Sequence, residues 1–220
     1  MQAKELISKS IITINPKHNG NAILACMEEL KIAHLPVIEN NQYIGLISES
    51  EILDWDDTTD LIQKHIYSLT SPSVNTDQHL FDVLKVMDEN GLSLVPVINH
   101  NQEYIGSISN KKLLYTIAQS VSVQSAGSVI VLEIYEKDYN MSEVCRIIES
   151  NNAKILSSYI TSVPDSTKLE LTIKVNKIDI RDIVNDLERF EYTLMASFSE
   201  SADHPNLLDR FEGLMRFLNP

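Results

Sequence analysis

The apolar residues of the chain change their spacing several times, and each change marks an element. Ile23, Met27 and Leu30 recur at helical spacing, as do Leu80, Leu84 and Met87, so each group predicts an amphipathic helix. Asn90-Gly91 gives the second of these helices a C-terminal stop. A short strand precedes each helix, around Ile11 to Ile14 in one case and Val74 in the other, with Pro16 or Asp77 in the intervening loop. Two β-branched runs follow the first helix, LPVIE and QYIGLIS. They are joined by Asn40-Asn41, a pair suited to positive φ in a tight hairpin. A closing helix starts near Glu49, and its counterpart near Asn110. The pattern is β-α-β-β-α, twice.

The two halves repeat in register. Lys4 falls on Lys64, Leu6 on Ile66, Ile14 on Val74, Met27 on Met87 and Pro36 on Pro96. One extra residue in the second connection, INHNQEYIG, then brings YIGLIS (Tyr43 to Ser48) onto YIGSIS (Tyr104 to Ser109) and Leu53 onto Leu114.

A different pattern begins at Ser128. The strand VIVLEIYE leads to a helix from Met141 to Ser150 and a strand from Lys154 to Val163. Pro164-Asp165-Ser166 turns into LELTIKV, a helix runs from about Asp179 to Phe190, and YTLMASFSE closes the unit. This βαββαβ order is ferredoxin-like. The small polar stretch VSVQSAGS before it reads as a linker. After it, Pro205 starts a C-terminal helix whose apolar stripe is Leu207, Phe211, Leu214, Met215 and Leu218. The expected fold is α+β, with domains at residues 1–60, 61–120 and 127–200 and the terminal helix at 204–220.

Composition narrows the function classes. The 220 residues carry a formal net charge of −13, which disfavours a nucleic acid or another polyanion as partner. The first residues, MQAKELISKS, lack the apolar core of a secretory signal, and no apolar stretch is long enough to span a membrane. A cytoplasmic protein is expected, with Cys26 and Cys145 as buried reduced thiols. The six histidines are scattered without metal-ligand spacing. Asp54, Asp56, Asp57 and Asp60, around Trp55, read as a solvated acidic loop. No glycine-rich phosphate loop or nucleophile elbow is present, so no catalytic or metal residue is assigned.

The residues that repeat carry a family resemblance. Pro36-Val37 and Pro96-Val97, with the Gly-h-x-Ser turns Gly45 to Ser48 and Gly106 to Ser109 (h, hydrophobic), make residues 3 to 120 resemble tandem CBS domains, a Bateman module. The resemblance implies two sheets packed about a pseudo-twofold axis, with two equivalent clefts for adenosine-containing ligands such as AMP, ATP or S-adenosylmethionine. In the family motif, Gly-h-x-Thr/Ser-x-x-Asp, the hydroxyl meets phosphate at the start of the last helix, where free N–H groups and the dipole favour an anion. The aspartate accepts from the ribose hydroxyls, and backbone near the Pro-Val segment and first strand holds adenine. Carried onto this chain, the motif implies Ser10, Ile12, Leu35, Pro36, Ser48 and Glu51 for the first cleft. For the second it implies Thr70, Pro72, Val95, Pro96, Ser109 and Lys112.

The chain departs from that motif in both copies. Glu51 replaces the aspartate with a longer carboxylate, and Lys112 cannot accept a ribose hydrogen bond. Lys111 and Lys112 favour a phosphate instead, although no arginine precedes Arg146. The ligand expectation therefore centres on the first cleft. Ser48 and Ser109 also read as N-caps, and Ser48 with Glu51 as a capping box; capping and ligand contact are compatible.

Residues 127 to 200 resemble an ACT domain, a fold that binds amino acids at dimer interfaces. The junction Lys137-Asp138-Tyr139-Asn140 lacks the glycine of ligand-binding members, so dimerisation by sheet extension is the expectation here. The full order resembles acetoin-utilisation accessory proteins. The chain is thus expected to be a non-catalytic, homodimeric regulator without a cofactor, sensing an adenosine ligand and acting on an unknown protein partner. The alternative is a dimeric assembly protein with vestigial clefts.

Overall fold

A computed structural model describes residues 1–8 and 11–199. The chain divides into two units, the first ending at Ile117 and the second beginning at Ala118. The expected C-terminal helix at 204–220 lies outside the described residues, as does Ser10.

In the first unit, Asn19 starts α1 (Gly20–Leu30) by accepting the Ala22 N–H on its side chain. Ile23 and Met27 are buried beneath it. Strands β1 (His34–Glu39) and β2 (Gln42–Ser48) form the predicted antiparallel hairpin. Asn40 and Asn41 have φ of 48° and 68°, the positive values such a turn needs. The closing helix α2 is short (Glu49–Leu53). After α3 (Ile62–His65), the second copy follows with β3 (Val74–Asn75), α4 (Leu80–Glu89), β4 (Leu94–Ile98), β5 (Tyr104–Ser109) and α5 (Asn110–Ser120). The expected first strand of copy one is reduced to a single parallel bridge, Ile14 to Val37, which matches the pairing of Val74 with Val97.

The two copies are related by a pseudo-twofold axis. Gln42 bridges Glu103, and these residues are equivalent in the repeat. The Tyr43 N–H donates to Gln102 O (3.3 Å) and the Tyr104 N–H to Asn41 O (3.0 Å), again equivalent pairs. At the other end, the Glu49 N–H donates to Ala33 O (2.9 Å) and the Asn110 N–H to Ser93 O (3.1 Å).

The lead segment of each copy belongs to the other copy's core. Ala3 and Leu6 are buried with Val74, Leu80, Val83 and Val95 of copy two, whereas Ile62 and Leu69 pack with Ile23, Met27 and Val37 of copy one. The crossings are closed by backbone. Ser8 N–H donates to Ser107 O, and Leu46 N–H to Thr70 O, both at 2.8 Å. These crossings also explain the repeated glycine. A Cβ on Gly45 would stand 2.9 Å from Thr70 O and 2.8 Å from Leu69 Cβ, and one on Gly106 would stand 2.4 Å from Ile7 Cγ2.

The second unit contains β6 (Ser128–Tyr135), α6 (Met141–Ser150), β7 (Ile155–Ser162), β8 (Lys168–Val175), α7 (Arg181–Arg189) and β9 (Thr193–Ser199). Its sheet order is β7-β8-β6-β9, antiparallel throughout, which is the ferredoxin-like arrangement. Period-two burial places Ile130, Leu132, Ile134, Leu171, Ile173 and Val175 on one face. There they meet Val144, Ile147, Ile148, Ile183 and Leu187 of the helices. The stretch expected as a linker is anchored to this unit. Val121 O accepts from Ser157 Oγ (2.9 Å), Val123 O from Lys174 Nζ (3.2 Å), and Ser128 Oγ donates to Ile178 O (2.7 Å).

Gly45→Ala should destabilise the first unit by about 1–3 kcal/mol, because the added methyl meets backbone that the crossing holds in place. Urea denaturation reads this as a lower midpoint; an unchanged midpoint would show that the crossing is loose.

Candidate functional site

A cavity of about 450 Å³ lies within the first unit, at the N-terminus of α5. Copy two lines it with Ser93, Ser109, Asn110 and Lys111, and residues 11–32 line it with Ile11, Leu30, Lys31 and Ile32. The walls come from both copies, because the lead segment carrying Ile11 crosses to the sheet of copy two. At the helix start, the Asn110 N–H is taken by Ser93 O and the Lys112 N–H by Ser109 Oγ (3.3 Å). Ser109 Oγ also lies 3.2 Å from Ser8 Oγ. Ser109 is therefore both an N-cap and a cavity residue, and Lys111 brings a cation to the same opening.

The residues expected around the first cleft are arranged differently. Ser48 and Glu51 form a complete capping box: Ser48 Oγ accepts the Glu51 N–H (3.2 Å), and Glu51 Oε2 accepts from both Ser48 N–H and Ser48 Oγ (2.7 Å each). One carboxylate oxygen is thus turned back onto its own helix. Leu35 and Pro36 are buried in β1, paired with Ile47 and Leu46 of β2. Ile12 is half-exposed, while its neighbour Ile11 lines the cavity beside Ser109.

The residues expected around the second cleft also separate. Val95 and Pro96 are buried in β4 opposite Ile108 and Ser107. Thr70 instead bonds β2 of copy one through its carbonyl, and Pro72 O accepts the Tyr43 hydroxyl (2.9 Å). Lys112 sits one residue past the cavity, with Nζ 6.0 Å from the Tyr115 ring centroid. The sequence repeat groups these residues by copy, and the crossing of the lead segments regroups them.

Sequence reasoning missed Ser93, Ile32 and Lys31 as cavity residues. Ser93 lies directly before its Pro-Val strand, and His34 holds the neighbouring place in copy one. His34 Nδ1 accepts the Ser93 N–H (3.2 Å) and lies 3.0 Å from Ser93 Oγ, which itself accepts the Ala33 N–H (3.1 Å). An Nδ1 that accepts an amide carries no proton, so the ring is neutral with its hydrogen on Nε2. Burial lowers the His34 pKa, and the nearby Glu51 carboxylate opposes this in part. Burial likewise raises the phenol pKa of Tyr43 and of Tyr104, whose hydroxyl lies 2.9 Å from Ser107 Oγ.

The acidic run is occupied by local contacts. Asp57 accepts from Thr59 N–H and Oγ1, Asp60 pairs with Lys64, and Trp55 stacks on His65 at 3.9 Å. Among the described residues, no group of three or more His, Cys, Asp or Glu side chains is placed to hold a metal ion. None of their helices is long and apolar enough to cross a membrane.

With two copies of one fold, a pseudo-twofold axis and a cavity whose walls both copies supply, the first unit is a paired-repeat module. The CBS domain family model matches residues 3–57 and 61–119, just over half of the chain, and the protein belongs to that family. Curated relatives include the uncharacterized protein MJ1232 of Methanocaldococcus jannaschii, 26% identical over 110 residues (50% of this chain, 37% of that one). Another is the CBS domain-containing protein MJ0729 of the same organism, 28% identical over 120 residues (52% and 93%). The chain spans less than half the length of the first curated relatives it matches, 37% and 49%. Among solved structures, a CBS domain pair/ACT domain protein from Thermotoga maritima aligns with a TM-score of 0.49 at 16% identity, covering 55% of this chain and 99% of that one.

The His34 contact implies a pH dependence. With the folded-state pKa below the ordinary 6.5, the folded chain resists a proton that the unfolded chain takes up. This stability contribution is complete above about pH 6.5 and is lost as the pH falls through the folded-state value. Stability measured in urea between pH 7.5 and 5 should show this decline in the native chain and a shallower one in His34→Gln; equal slopes would refute it.

Proposed function

We propose that the first unit is a non-catalytic sensor that binds an adenosine-containing ligand, of the AMP, ATP or S-adenosylmethionine class, in the cavity walled by Ile11, Ile32, Ser93, Ser109 and Lys111. The observation that carries this reading is the cavity itself: about 450 Å³, lined by the apolar Ile11, Leu30 and Ile32 and by the polar Ser93, Ser109, Asn110 and two lysines. That volume is within the ~300–1,000 Å³ of small-molecule sites. The apolar side chains of Ile11, Leu30 and Ile32 suit a purine, while the first turn of α5 and the Lys111 ammonium suit a phosphate. Membership of the CBS family supports a regulatory rather than a chemical role. In this reading the site shifts from the Ser48–Glu51 turn to the Ser109–Lys111 turn, because Glu51 is engaged in its capping box and Lys111 is open to the cavity. The protein acts in the cytoplasm as a regulator of the acetoin-utilisation accessory type, its ferredoxin-like unit serving assembly.

A second reading, self-association as the main role, draws on a separate groove of about 480 Å³ between α4 and α5, lined by Leu84, Met87, Leu92, Leu113, Leu114 and Ile117. Leu114 is 72% exposed there, so a second copy would bury it. Light scattering that finds a monomer excludes that reading.

Thermal unfolding with AMP, ATP and S-adenosylmethionine tests the sensor reading. A ligand at 100 times its dissociation constant should stabilise the fold by about 2.7 kcal/mol. The shift should persist in Glu51→Gln and be lost in Lys111→Glu. No shift with any of the three at millimolar concentration would refute it.

A further inference from the structure

The two copies place different residues at the left-handed position that follows the first helix of each repeat. Helix α4 runs into Gly91, which has φ of +59°, a conformation that glycine adopts without steric cost. The equivalent residue after α1 is Lys31, which takes φ of 54° and ψ of 46° despite its side chain. A lysine is a disfavoured choice for a left-handed helix cap. Lys31 lines the cavity that Lys111 also lines, whereas Gly91 lines the separate α4–α5 groove.

The charge of the cavity is also out of keeping with the rest of the chain. Acidic residues outnumber basic ones by 31 to 18 overall, yet the cavity lining holds two lysines, Lys31 and Lys111, and no carboxylate. The Lys31 ammonium pairs with Glu28, and both side chains are largely exposed, so this ion pair is readily exchanged for a stronger anion. One cation at the α5 turn suffices for a single phosphate. A second cation, on another element of the same lining, serves an anion that extends further.

We infer that Lys31 is a specificity residue of this cavity, selecting ligands that carry two or three linked phosphates over a monophosphate or a neutral nucleoside. The inference rests on the sensor reading above and adds the charge of the ligand to it. The left-handed cap holds Lys31 at the cavity lip, and the ligand's terminal phosphates displace Glu28 from it.

The test is calorimetric titration of the full chain with adenosine, AMP, ADP, ATP and inorganic tripolyphosphate, in the native protein, Lys31→Gln and Lys31→Gly. Lys31→Gln removes the charge and keeps the disfavoured backbone; Lys31→Gly removes both, and its unfolding temperature reports that the fold is intact. Native affinity should rise with phosphate number. Each variant should weaken ATP and tripolyphosphate about fivefold, the value of one partly screened charge contact, with AMP changed less than twofold. ATP binding that is unchanged, or that falls in step with AMP, overturns the inference and leaves the sensor reading standing. Tripolyphosphate binding that depends on Lys31, without binding of any adenosine compound, keeps the polyphosphate site and refutes the adenosine reading. No binding of any of the five refutes both.

Discussion

The exchange of lead segments between the two copies is the constraint on which the first unit depends. Each copy leaves a gap over its own glycine, Gly45 or Gly106, and the segment that precedes the other copy fills it. Two backbone bonds of 2.8 Å, Ser8 to Ser107 and Leu46 to Thr70, close the crossings. Ala3 and Leu6 on one side, and Ile62 and Leu69 on the other, carry apolar surface into the partner copy's core. Neither copy has a complete core without the other, so the pair folds as one body rather than as two linked repeats. The same exchange makes the cavity, since it brings Ile11 from the chain's start against a helix that begins at Asn110.

A near-symmetric pair does not have two equal clefts. Both closing helices begin with a serine cap, but Glu51 completes a capping box in copy one, where copy two has Lys112 at the same place. A carboxylate that accepts two bonds from its own cap has one oxygen engaged locally. A lysine there has no such acceptor role, and its neighbour Lys111 contributes positive charge to the opening. The difference between the clefts is therefore electrostatic more than topological. His34 and Ser93 join the copies between these two turns, and the neutral imidazole makes that junction sensitive to mild acid.

Much of the fold was legible from local signals. The helical spacing of Ile23, Met27 and Leu30, the Asn40-Asn41 turn and the period-two strands of the second unit each determined an element by chemistry within a few residues. The helix expected at Met141 to Ser150 has those limits in the structure. What stayed hidden depended on distant partners. Nothing in the residues around Ser8 or Thr70 announces a bond to a strand of the opposite copy, so the sequence groups the cleft residues by repeat and the structure regroups them. Ile11 and Ser93 gave no motif of their own. Lys31 did leave a trace, since the repeat register sets it against Gly91, but its meaning needed the φ angles.

A crystal structure of the full chain grown with ATP tests the ligand site most directly. Density for the nucleotide is expected in the cavity, with the base between Ile11 and Ile32 and the phosphates toward Lys111 and the first turn of α5. Nucleotide at the Ser48–Glu51 turn, with this cavity empty, would contradict it.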